Sequence, residues 1–281
     1  MLVNYSDDNN ICHRNTSLDN LVATLECDTI TSVKWFTQNY MGSNAEKFQA
    51  IILRKFSSID TYFRIQDQNI NTSRTIKILG VILDDQLKFN DHITSICRRA
   101  SSQINALKRI SKFLNTSGRM NIYKSFIYSN FNYCPLTWIF CGKKNTDKLE
   151  KLQERALRFV FNDSISTYEL LLKNAELLPL SVLRLKLLAI EVYKCINCIN
   201  PEYMNDMFKH KSLPYDFRDS SKLETSKYNG KTFGYKSFTY YGSKLWNSIP
   251  AEIKNVDSLS KFKQKISLWC QTPKAQKLVI F

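Results

Sequence analysis

The sequence is poor in residues that break or staple a chain. Of 281 residues, 7 are glycine and 6 are proline, which excludes collagen-like and linker-like chains. The three histidines, His13, His92 and His210, lie far apart and show no spacing that suits a metal site or a nucleophile–base pair. Eight cysteines, from Cys12 to Cys270, are spread over the whole length, unlike the dense framework of a small secreted scaffold. No apolar run reaches bilayer length; even Leu183 to Ile196 is interrupted by Arg184, Lys186, Glu191 and Lys194. The opening residues lack the basic and apolar regions of a secretory signal. These absences read as a soluble intracellular protein with reduced thiols, and no membrane partner is expected.

Positive charge is abundant. Forty Lys and Arg against 25 Asp and Glu give +15. Such a balance speaks of partners rather than fold, with nucleic acid ahead of an anionic lipid surface. Hydrophobic residues at 43% and aromatics at 12% can fill a sizeable core, as one large domain or two. The charge is uneven. Residues 1–42 hold two cations against five carboxylates, so the remaining chain carries +18. An acidic head on a basic body suits a metal-dependent protein acting on a polyanion.

The pattern predicts an α+β fold with a small antiparallel sheet and one helix first, then mostly helices. Residues 2–5 read as a strand entering a turn at Asp7 to Asn10, and Ser17 as the N-cap of a helix over 17–40. Lys47 to Leu53, Ile59 to Ile65 and Ile76 to Leu83 read as strands. His92 to Leu114 carries a helical stripe (Ile93, Ile96, Ala100, Ile104, Leu107), and Arg98, Arg99, Lys108, Arg109 and Lys112 occupy its other face. Further helices are predicted from Thr116, from Thr146, over Leu180 to Ile199 and over Ser258 to Trp269. Residues 211–240 read as loops or short strands.

Tyr5-Ser6-Asp7-Asp8 places adjacent carboxylates at a strand end, where both could approach a hard cation such as Mg²⁺; a plain polar turn is the alternative. Cys195-Ile-Asn-Cys198 has no second pair for the four ligands of a zinc site and reads as buried thiols, as do Cys134 and Cys141. No zinc is expected.

Downstream of the Tyr5 box come Trp35 to Met41, then Asn44-Ala-Glu-Lys47 to Leu53, then Leu79-Gly80-Val-Ile-Leu-Asp84, then Leu87 to Ile93. Leu149 to Arg158, Leu178-Pro-Leu180, Tyr193-Lys194, Ser237 to Pro250 and Ser258 to Lys265 follow. This ordered set resembles the reverse transcriptases of non-LTR retrotransposons, especially the jockey-like branch. The resemblance implies an RNA-directed DNA polymerase. Its palm hairpin would carry Asp7 as a metal ligand and Asp8 as a ligand or close neighbour, with Mg²⁺ as cofactor. Tyr5 would lie under the primer terminus. Lys47 would be the proton donor to pyrophosphate, or else a solvated lysine before a strand. Leu79 and Gly80 would form the primer grip, or else pack in a sheet. Arg98, Arg99, Lys108, Arg109 and Lys112 would meet the phosphates of an RNA–DNA or DNA duplex held on an RNA template, or else form a solvated helix face.

The implied segments are a palm half over 1–72, primer grip and thumb over 73–162, and a helical C-terminal region over 163–281. An element copying into chromosomes works in the cytoplasm, the nucleus or both. The family carries fingers and half of the palm ahead of this box, so the expectation is a fragment that does not polymerise alone. Two other readings stay open: a non-catalytic nucleic-acid-binding protein that kept the thumb, and an inert translation product.

Overall fold

Short β-rich runs separated by turn residues govern the first 87 residues, and helical periodicity governs the rest. The computed structural model describes residues 2–6, 8–53, 61–65, 68–211, 222–228 and 234–278, and the chain divides into two units, 1–87 and 88–281. The described residues are mostly helical, with six short strands in three two-stranded antiparallel pairs. The α+β reading holds.

In the first unit, β1 (Leu2–Tyr5) pairs with β2 (Asp8–Ile11), from Leu2 opposite Ile11 to Tyr5 opposite Asp8. The turn is tighter than the sequence implied: Asp8, Asn9 and Asn10 are strand residues, and Ser6 takes the positive φ of 54° that a two-residue hairpin loop demands. Helix α1 (Leu18–Gln38) starts where expected, with Ser17 as N-cap accepting from the Asn20 N–H. Strands β3 (Tyr62–Ile65) and β4 (Gln68–Asn71) form the second hairpin, and β3 packs its buried Phe63 and Ile65 in the unit that also holds buried Val33 of α1.

Two strand expectations fail. The run from Lys47 to Leu53 makes only a 3-10 turn (Ala45–Lys47) and one parallel bridge, Ala50 to Thr72. Gln49 spends its side-chain carbonyl on the Lys77 N–H at 3.2 Å, so the segment buttresses other strands rather than extending as one. Ile76 to Leu83 is not one strand but the hairpin β5 (Thr75–Ile78) and β6 (Val81–Asp84). Leu79 (φ 46°) and Gly80 (φ 86°) form its loop; a two-residue loop with positive φ at both positions matches the sheet's twist, and glycine reaches that region without strain.

The second unit opens with α2 (Asn90–Ile110), whose buried stripe takes in the predicted Ile93, Ile96, Ala100, Ile104 and Leu107 and adds His92. Helix α3 (Thr116–Ile122) is capped by Asn115, one residue before the expected start. It runs into a π-helical stretch, Tyr123–Tyr128, and then α4 (Ser129–Asn132). The wider π turn keeps both Tyr123 and Ile127 fully buried.

Helix α5 (Lys143–Phe161) begins after Gly142, whose φ is 83°. Thr146 is therefore inside the helix rather than its cap. There it is buried and accepts from Arg184 Nη2 at 3.1 Å. Arg184 is itself buried, against the Trp138 ring at 5.3 Å, and burial pulls its pKa down from the ordinary arginine value. Helix α6 (Tyr168–Ala175), capped by Thr167, lies where no element is predicted.

Helix α7 (Leu180–Ile196) then crosses the core, ahead of α8 (Phe238–Ser248), α9 (Ala251–Lys254), α10 (Leu259–Trp269) and α11 (Pro273–Gln276). Helix α10 fills the predicted stretch, with Ser258 as its N-cap accepting from the Lys261 N–H. Residues 211–240 were expected as loops or strands; 212–221 and 229–233 lie outside the described residues, but Phe238 onward is helical, since Ser237 Oγ accepts from the Tyr240 N–H.

Around α7, α8 and α10 lies an aromatic core in which Tyr193 stacks on Phe262 at 4.2 Å and Trp246 stands 6.0 Å from Phe262. Gly242 lets α8 approach this core. A Cβ there would lie 2.7 Å from the Phe208 ring and 2.8 Å from a Val192 methyl. Gly242→Ala gains helix propensity of about 1 kcal/mol and loses more to overpacking. A net loss of roughly 1–2 kcal/mol is expected in urea unfolding; an unchanged or raised midpoint would contradict this packing.

Candidate nucleic-acid interface

The residues singled out in the first unit fall on three separate pieces of chain. Tyr5 and Asp8 face each other across the β1–β2 hairpin, both exposed; Asp7 lies outside the described residues. Lys47 ends the 3-10 turn, exposed. Leu79 and Gly80 form the loop of the β5–β6 hairpin. Among the described residues, no group of three or more His, Cys, Asp or Glu could hold a metal ion. Asp8 presents one exposed carboxylate at the start of β2.

The second unit holds a more coherent arrangement. All five cations singled out on α2 and just beyond it are exposed, but they do not share one face. At roughly 100° per residue, Arg98 and Arg109 lie on one line with Asn105 between them, directly opposite the buried stripe. Arg99 and Lys108 flank that line on opposite sides, about 180° apart. Lys108 turns towards α5, where its Nζ stands 5.7 Å from the Phe159 ring centroid. Lys112 follows the helix in a 3-10 turn and sits 4.9 Å from the exposed Phe113 ring.

Helix α5 supplies what the sequence reading missed. Lys144, Lys148, Lys151 and Arg155, all exposed, recur at i, i+4, i+7 and i+11. That spacing makes a single basic stripe along a helix, opposite the buried Leu149, Gln153, Ala156, Leu157 and Val160. The spacing was readable, but the apolar residues between the cations drew the eye to the core.

Three contacts align α5 with α2. Asn145 Nδ2 donates to Asn90 Oδ1 at 2.8 Å, Arg155 Nη2 donates to Asn105 Oδ1 at 2.6 Å, and Lys108 reaches Phe159. The pairs advance together along both helices, so α2 and α5 run parallel. Arg155 thereby ties the α5 stripe to the Arg98–Arg109 line. The only acidic residue of α2 is Asp91, in its first turn, so the Arg98–Arg109 line carries no carboxylate, while the exposed Asp147 stands beside the α5 row. The result is a ridge of two basic rows, each about 16 Å long at 1.5 Å per residue. A duplex of that length presents about ten phosphates, more than enough to engage both rows.

The thiols divide. Cys141 and Cys195 are buried, but Cys134 and Cys198 are exposed, correcting the expectation that all four are buried: Cys198 lies past the end of α7 with φ 52°, and Cys134 past α4 with φ 45°. Burial pushes the Cys195 thiol's pKa up.

No protein-family model matches the chain, and no solved structure matches it. It is 21% identical over 164 residues to a protein of Drosophila melanogaster named as a probable RNA-directed DNA polymerase from transposon X-element. The alignment takes in 57% of this chain and 18% of that protein, so the chain spans under a fifth of its relative's length. This distant similarity supports a reverse-transcriptase-related origin for the chain.

Proposed function

We propose that this chain derives from the reverse transcriptase of a non-LTR retrotransposon, of the jockey-like kind, and that its helical unit holds template–primer duplex on the α2–α5 ridge. The observation that carries the binding reading is the pair of exposed basic rows on two packed parallel helices, joined by Arg155 and Asn105. The contacts are to phosphates, so the grip is independent of base sequence and falls with salt. An A-form-like RNA–DNA hybrid would be held by its backbone and shape. The distant similarity to the X-element polymerase supports the ancestry. The second reading is a binding protein without polymerase activity, which would hold duplex through the same two rows.

The test is the affinity of a fluorescent RNA–DNA primer–template across a potassium chloride series. With five or six phosphates engaged, a plot of log K against log salt should fall with a slope of about −4.5 to −5.5. A slope shallower than −1, or no binding at low salt, would refute the ridge as the interface. Magnesium and nucleotides in a parallel series separate the two readings. Binding without primer extension fits a duplex-holding remnant, whereas extension would show an active polymerase.

A further inference from the structure

At the C-terminal end of α5 the basic ridge opens into a cleft of about 470 Å³, within the roughly 300–1,000 Å³ range of small-molecule sites. Phe159 forms an aromatic wall, and Lys151, Arg155 and Arg158 bring three cations to it. Two carboxylates also line it, but both already have partners. Glu154 accepts from Arg158 Nη2 at 2.7 Å, and Asp163 accepts from the backbone N–H groups of Ile165 and Ser166, each at 2.9 Å. Three cations against two carboxylates leave the cleft net positive, with Lys151 at its edge and Arg155, held to Asn105 through Nη2, keeping its charge for an incoming anion. Asn162 and Ser164 add an amide and a hydroxyl to its lining. Lys108 stands 5.7 Å from the centroid of the same Phe159 ring, which fixes the wall to α2.

An aromatic wall beside phosphate-binding cations is the chemistry that takes an unpaired base with its backbone. We infer that this cleft receives one nucleotide of a single-stranded overhang leaving the duplex, its base against Phe159 and its phosphate on Lys151 and Arg155. The inference rests on the duplex-binding reading, because the cleft lies at the end of the α5 row. A duplex whose end projects into the cleft would present a base there without any unpairing.

The test compares a blunt-ended hairpin duplex with the same hairpin carrying a four-nucleotide overhang, on the full chain and on Phe159→Leu. Leucine keeps the wall apolar but removes the flat face. The overhang should tighten binding to the natural chain about tenfold, the range expected for one stacked base. Phe159→Leu should lose most of that gain, read as the ratio of overhang to blunt-duplex affinity within each chain, because Phe159 also meets Lys108 between α2 and α5. Equal affinity for the two ligands, with blunt duplex bound and salt-sensitive, overturns the cleft assignment and leaves the ridge standing. Failure to bind either ligand at low salt overturns both. If a glutamate-rich peptide removes the overhang preference while blunt duplex stays bound, the cleft is an acidic-peptide site and the nucleotide assignment falls.

Discussion

Changing Arg98, Arg109 and Lys148 together to glutamine is expected to weaken duplex binding by about 500-fold at 0.1 M salt. Each lost phosphate contact removes about 0.9 of a log unit per tenfold dilution of salt below 1 M, and three such contacts act together. The same reasoning requires the difference to vanish near 1 M salt, a signature that misfolding would not produce. All three side chains are exposed, so thermal melting of the variant should match that of the parent within a few degrees. The comparison triple, Arg99, Lys108 and Lys112 to glutamine, removes the same charge from the flanks and the turn. It should cost far less, because these side chains do not share a line with the α5 stripe. If the two triples weaken binding equally, the protein attracts duplex through its net charge alone and the ridge has no special place.

Glu150→Ala should destabilise the helical unit by about 3–5 kcal/mol, the sum expected when several hydrogen-bond donors lose one acceptor. Glu150 Oε1 accepts from the Ser181 N–H at 2.8 Å, and Oε2 accepts from the Leu180 N–H at 3.1 Å and from the Tyr168 hydroxyl at 2.7 Å. Helix α7 follows Pro179, which has no side-chain donor or acceptor to cap it. Its first N–H groups are satisfied instead by a carboxylate from α5, where a negative charge also suits the helix dipole. Burial, then the Glu150 carboxylate, raises the Tyr168 pKa, so its hydroxyl stays a donor throughout the working pH range. Urea unfolding followed by tryptophan fluorescence reads the loss, since Trp138, Trp246 and Trp269 are all buried in this unit. Glu150→Gln keeps one carbonyl acceptor and should lose less than half as much. A loss below about 1 kcal/mol for alanine would show that water replaces the carboxylate freely.

A polar cap ahead of an apolar stripe made some helices legible, though the same signal at Thr167 and Ser237 was passed over. Ser17 and Ser258 marked true starts, and the stripe from Ile93 to Leu107 marked a true face. Local signals failed where tertiary partners decided the outcome. Thr146 had the look of a cap, but Gly142 with its positive φ starts the helix a turn earlier and frees Thr146 to bond the buried Arg184. Leu79-Gly80 sat within an apolar run that concealed a hairpin loop. Helix α8 was hidden by its tyrosines and by Gly242, which serves packing against Phe208 and Val192 rather than a turn. At the interface, Arg98 and Arg109 were found from charge. Their joining to Lys148 and Arg155 depends on Asn105, a residue that no charge count selects.

That joining has a thermodynamic corollary. Arg155 and Asn105 are fifty residues apart in the chain, so the two basic rows exist side by side only in the folded unit. A duplex that spans both rows binds the native state and has no equal purchase on the unfolded one. Binding and folding are then one linked equilibrium: duplex at a hundred times its dissociation constant adds about 2.7 kcal/mol to stability. Bound to nucleic acid, the protein is the more durable species.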